Sequence, residues 1–80
     1  MKNTTMEYNK YIVRNPEIML GKPIIRGTRI SVELIMRKLA GGFTIENLIT
    51  NYPHINKDQI FAAFEYAADL IANEEVFEVA

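Results

Sequence analysis

No cysteine and no tryptophan occur in these 80 residues, and a single histidine, His54, is present. The missing thiols exclude disulfides and thiolate metal sites, and one imidazole cannot build a zinc site alone. No stretch approaches the roughly 20 apolar residues that span a bilayer, and the polar start lacks the apolar core of a signal peptide. The expected location is the cytoplasm, with no membrane partner. A chain of this length makes one domain. Without disulfides or metal, a core so small nets no more than ~3–5 kcal/mol. Pairing with a second copy, or burial against a partner, is the expected further source of stability.

The net charge of −1 conceals a strong asymmetry. Residues 1–38 carry eight basic groups against Glu7, Glu17 and Glu33, a balance of +5, whereas residues 39–80 carry Lys57 against seven acids, a balance of −6. A polyanion should therefore meet the first half of the chain.

The segment Gly21-Lys22-Pro23-Ile24-Ile25-Arg26-Gly27-Thr28-Arg29-Ile30 reads as a tight β-hairpin. Glycine first in a two-residue Gly27-Thr28 loop suits a type II′ turn, which needs positive φ there. That register sets Arg26 opposite Arg29. Like charges facing across a ladder repel, costing up to about 1 kcal/mol. Such a pair either points apart into water or holds an anion.

Around the hairpin, residues 1–10 read as a flexible polar arm, Tyr11–Arg14 has strand character, and Glu17–Leu20 forms a short turn. Ser31 caps a helix with Val32, Ile35, Met36, Leu39 and Ala40 on one face, ended by Gly41-Gly42. Thr44 caps a second helix, stapled by Phe43 and Leu48, and Pro53 halts it near Tyr52. Asn56 and Gln59 form a capping box for a third helix, with Ile55 and Ile60 as its staple. Ile60, Phe64, Ala67, Ala68 and Ile71 are expected on its buried face, flanked by Phe61 and Leu70. The last two helices and their turn make a helix-turn-helix candidate. Val76 to Val79 alternates like a half-buried strand. The expected fold class is α+β, mainly α: a short N-terminal β-strand and hairpin followed by a three-helix, helix-turn-helix-like bundle. Its boundaries are an arm at 1–10, one domain at 11–72 and an acidic tail at 73–80.

Catalysis finds little support. Glu65 and Asp69 lie one helical turn apart without a third acid or imidazole, so a solvated acidic face is the better reading. His54, in a turn after proline, reads as a surface or packing residue. The expectation is a non-enzyme without metal or cofactor.

Nucleic-acid contact has two candidate surfaces. The third helix opens with Asn56, Lys57 and Gln59, whose amides suit adenine and whose ammonium suits phosphate. The same residues cap a helix equally well, and Asp58, Glu65 and Asp69 would repel phosphate. The stronger candidate is the basic hairpin side, with Arg14, Lys22, Arg26, Thr28, Arg29, Arg37 and Lys38, since a β-ribbon also enters grooves. The bland alternative for Arg26 and Arg29 is that they brace the fold, on backbone carbonyls or on Glu17 and Glu33.

Two stretches carry a resemblance. Ile12-Val13, Pro16-Glu17-Ile18 and Gly21 to Ile30 resemble the signature of the domain-of-unknown-function 433 family. So do Gly42-Phe43-Thr44-Ile45-Glu46-Asn47-Leu48, Tyr52-Pro53 and Ile60 to Ala67. The likeness covers roughly residues 11 to 72, and Ser31 stands where that family usually has proline. It implies a small prokaryotic protein with a hairpin and a helix-turn-helix core, similar to VapB-like antitoxins. The expected function is therefore the dimeric antitoxin of a type II toxin–antitoxin system, blocking a cognate PIN-like ribonuclease toxin and binding operator DNA to repress its own operon. A stand-alone DNA-binding regulator is the alternative. In the antitoxin reading a hairpin guanidinium pairs with the carboxylates that hold the toxin's metal, and the acidic tail does no more than dock.

Overall fold

The order of elements is a two-stranded antiparallel sheet followed by three helices, in a computed structural model that describes residues 7–73. The expected tail strand at Val76–Val79 lies outside the described residues. Strand β1 is Ile12–Arg14 and β2 is Pro23–Ile25; the helices are α1 (Val32–Ala40), α2 (Ile45–Asn51) and α3 (Lys57–Ala72). Residues 8–10, read as part of a loose arm, instead form a 3-10 turn. Its Tyr8 stacks edge-on against Tyr66 of α3, with centroids 5.4 Å apart, and donates a 2.9 Å hydrogen bond to Asp69.

The hairpin differs from the expected one. β2 pairs with β1, opposing Ile12 to Ile25, Val13 to Ile24 and Arg14 to Pro23. The expected turn at Gly27-Thr28 forms one residue earlier. Thr28 N–H donates to the Ile25 carbonyl at 3.0 Å, so Arg26 and Gly27 are the central residues. Gly27, with φ +81°, takes the third position, where a type II turn needs it. The chain then returns through an Ile25 N–H bond to the Ile30 carbonyl at 2.8 Å and a bridge from Ile24 to Ser31. The Thr28 hydroxyl selects this geometry. It donates to the Ile25 carbonyl at 2.7 Å and accepts from Ile30 N–H at 2.9 Å. Arg26 and Arg29 thus belong to a four-residue loop and do not face each other across a ladder.

The helix ends follow local chemistry. Ser31 Oγ accepts from Leu34 N–H at 2.9 Å to open α1. Its other end is a Schellman motif: Phe43 N–H bonds to the Lys38 carbonyl and Gly42 N–H to that of Leu39, with Gly42 at φ +107°. Thr44 caps α2 and shares a full capping box with Asn47; Asn56 and Gln59 do the same for α3.

Ile12 and Ile25 from the sheet meet Val32, Ile35, Leu48, Ile55, Ile60, Ala62 and Ala63 in one core. The expected buried face of α3 holds at Ile60, which is enclosed, and at Phe64 and Ala67, which pack against the core, and fails at its two last positions. Ala62 and Ala63 are fully enclosed, while Ala68 is exposed and Ile71 keeps 70% of its surface in water. Two small side chains let α3 approach the body closely along a neighbouring stripe of the helix. Among the described residues, no helix is long and apolar enough to cross a membrane.

Candidate partner-binding groove

Successive residues of a strand point to opposite faces, so the adjacent pair Ile24-Ile25 cannot enter one core together. Ile25 joins the main cluster; Ile24 is also buried yet stands outside it. On the outer side of the sheet Val13, Ile18, Ile24 and Ile30 line a groove of about 670 Å³. Asn15, Thr28, Arg29 and His54 complete its wall. Its make-up is an aliphatic surface beside one guanidinium and one imidazole, able to take an apolar side chain with an acidic neighbour.

The basic residues singled out from the sequence meet different fates. The Arg14 guanidinium donates from Nε and Nη2 to the Tyr66 hydroxyl at 3.0 and 2.6 Å, and from Nη1 to the Gly21 carbonyl at 3.4 Å. Lys22 Nζ lies 2.8 Å from Glu33 Oε1. Arg26 donates to the carbonyls of Lys10 and Asn9 at 3.1 and 2.8 Å, clasping the 3-10 turn. Arg37 lies 3.0 Å from Glu33 Oε2 with 76% of its side chain exposed, and Lys38 holds its ammonium 4.9 Å from the Phe43 ring centre. Arg29 is exposed and makes no hydrogen bond or ion pair among the described residues.

Thr28 and Arg29 are therefore brought to the groove, whereas Arg14 and Arg26 brace the fold. Lys22 and Arg37 converge on Glu33. The hydrogen bond from Lys22, then that from Arg37, holds its carboxyl below the usual range. At the start of α3, Asn56 Oδ1 accepts from Gln59 N–H at 3.0 Å and Gln59 Oε1 from Asn56 N–H at 2.7 Å. Each amide oxygen accepts one bond within the cap, and neither NH2 group makes a hydrogen bond among the described residues; Lys57 is exposed beside them. His54 and the aliphatic lining escaped sequence reasoning. The doubled isoleucine was the available signal for a second apolar face, while His54 arrives through the fold and has no local cue.

Residues 12–67 match the family described as protein of unknown function (DUF433). Over 56 residues the chain is 30% identical to the uncharacterized protein y4eO of Sinorhizobium fredii, an alignment that takes in 70% of this chain and 25% of that protein. The fold is similar to the crystal structure of a DUF433 member from Anabaena variabilis, with TM-score 0.71 and 29% identity. That superposition covers 72% of this chain and 57% of the other. The chain thus spans a quarter of the first relative and little more than half of the second.

Proposed function

We propose, since this chain belongs to the DUF433 family, that it is the antitoxin of a type II toxin–antitoxin pair and that it neutralises a PIN-like ribonuclease in the cytoplasm by direct contact. The observation that carries this reading is Arg29: an exposed guanidinium at the wall of an apolar groove, with no partner among the described residues. A PIN-like active site gathers carboxylates around its divalent metal. A guanidinium pairs with such carboxylates in a bidentate fork, and the groove beside it takes an apolar side chain of the toxin. Inhibition is occlusion without turnover.

Coexpression with the product of the neighbouring reading frame, followed by size-exclusion chromatography, tests the pairing. The two proteins are expected to co-elute, and Arg29→Ala to release the ribonuclease while Arg26→Ala leaves inhibition intact. Failure to co-elute, with the protein alone binding its own upstream DNA in a salt-sensitive way, points instead to a stand-alone regulator. The exposure of Arg37 and Lys57 supports phosphate contact of that kind, and autorepression by the antitoxin would use the same residues.

A further inference from the structure

The groove on the outer side of the sheet has hydrogen-bond donors to spare. Thr28 has its hydroxyl committed twice, to the Ile25 carbonyl and from Ile30 N–H. The Asn15 amide oxygen accepts from Glu17 N–H at 2.9 Å, which leaves its NH2 group. Arg29 and His54 are exposed on the wall, and neither side chain makes a hydrogen bond or ion pair among the described residues. Among those residues no carboxylate lines the groove. A negative group placed there meets a guanidinium and no like charge. The rest of the wall is aliphatic: Ile24 is enclosed, and Val13, Ile18 and Ile30 are half-buried around it. The volume of about 670 Å³ falls within the range of small-molecule sites.

We propose that this groove binds a small aliphatic carboxylic acid, its carboxylate on Arg29 and its hydrocarbon chain along Val13, Ile18, Ile24 and Ile30. The guanidinium offers a planar fork that matches the two oxygens of a carboxylate. A phosphomonoester brings nearly two charges to a wall that holds one fixed cation. An amine would meet that cation and be repelled. Apart from the imidazole, no ring lines the groove, so an aromatic ligand finds little to stack on, whereas branched aliphatic side chains suit an alkyl chain. Binding removes the chain and the half-exposed isoleucines from water together. The site rests on the chemistry of the groove and not on the antitoxin reading. Where both hold, acid and ribonuclease compete for Arg29, and the acid displaces the toxin.

The protein alone, without any toxin, provides the test. Octanoate titrated into isotope-labelled protein should move the amide resonances of Val13, Ile24 and Ile30 to saturation, and octylamine should not. Shortening the chain should weaken binding by up to about fourfold for each CH2 removed, so hexanoate binds measurably less tightly than octanoate. Arg29→Ala should weaken octanoate by about tenfold or more, with an unchanged circular dichroism spectrum because the side chain is exposed. Arg26→Ala, which removes an equal charge from the same loop, should leave the affinity as it was. An affinity that survives Arg29→Ala overturns the proposal, as do equal shifts with octylamine or equal affinities for hexanoate and octanoate. The absence of any shift below the concentration of micelle formation overturns it too. Ribonuclease inhibition enters none of these readings, so their failure leaves the antitoxin reading to its own test.

Discussion

The hairpin turns two faces of similar chemistry toward different surroundings. On the inner face Ile12 and Ile25 disappear into a core shared with all three helices, while on the outer face Val13 and Ile24 line an open groove. The same division separates the ends of the loop that follows. Arg26 is bound to two backbone carbonyls; Arg29 faces the groove without a described partner. Strand alternation alone makes the first difference. The second follows from the turn, because Gly27 at the third position of a type II turn places the two arginines outside any ladder. A basic loop is thus divided into one residue that holds the fold and one that can meet a ligand.

Truncating the inner face should break this comparison most severely. Ile25→Ala is expected to cost about 2–5 kcal/mol, a large part of what so small a domain has, and to lower the urea midpoint accordingly. Val13→Ala, on the groove side and half-buried, should cost only about 1 kcal/mol. Equal losses at the two positions would mean that the groove is closed and carries core weight.

The arginines should separate next. Arg26→Ala removes two hydrogen bonds between a charged group and the backbone and is expected to cost about 1 kcal/mol. Arg29→Ala should stay within ~0.5 kcal/mol and yet, under the proposed antitoxin role, weaken binding of the ribonuclease. Thermal denaturation of the two variants, set beside a ribonuclease assay with the proposed partner, reads both effects. A larger thermal loss in Arg29→Ala would assign it the bracing role instead.

Much of this fold was legible because its signals are local. Ser31, Thr44 and Asn56 each cap the helix that begins after them, and Gly42 ends α1, because those hydrogen bonds run between residues three to five apart. The turn was misread because its geometry depends on a Thr28 hydroxyl that bridges Ile25 and Ile30, which a glycine-based rule does not weigh. For Arg26 the bracing alternative was legible, but not its acceptors: these are the carbonyls of Asn9 and Lys10, and carbonyls have no residue code. The burial of α3 was legible at Ile60, Phe64 and Ala67 but not at Ala62 and Ala63, because alanines outrank larger neighbours such as Ile71 when a helix packs closely. His54 reached the groove through the packing of α3's preceding turn, a long-range result that spacing cannot express.

Backbone strain gives a smaller and signed test within the two loops of the hairpin. Leu20, 95% exposed, holds φ at +60° in the connection between β1 and β2, a conformation that costs a branched residue roughly 1–2 kcal/mol. Leu20→Gly should relieve part of it, for a net gain of about 0.5 kcal/mol after glycine's entropy cost. Gly27→Ala should do the reverse. A Cβ there meets nothing within 4 Å, so the expected loss of about 1 kcal/mol is conformational alone. Denaturant midpoints moving in the same direction for both variants would refute this account of the loops.

The smallest effect lies where the sheet connection meets α1. Glu33 joins Lys22 before β2 to Arg37 on α1, and both bonds favour its charged form, so its folded pKa lies below the unfolded one. By linkage, the stabilisation is complete at neutral pH and disappears as pH falls through the folded pKa. Tyr8 behaves oppositely. Its hydroxyl donates to Asp69, which raises its pKa; its contribution persists through neutral pH and is lost as pH rises past the folded value. Stability measured against pH should therefore decline on the acid side through Glu33 and on the alkaline side through Tyr8. Glu33→Gln should flatten only the acid limb and Tyr8→Phe only the alkaline one. Both groups are solvent-accessible, so added salt should shrink the Glu33 effect and leave the buried contrast between Ile25 and Val13 where it was.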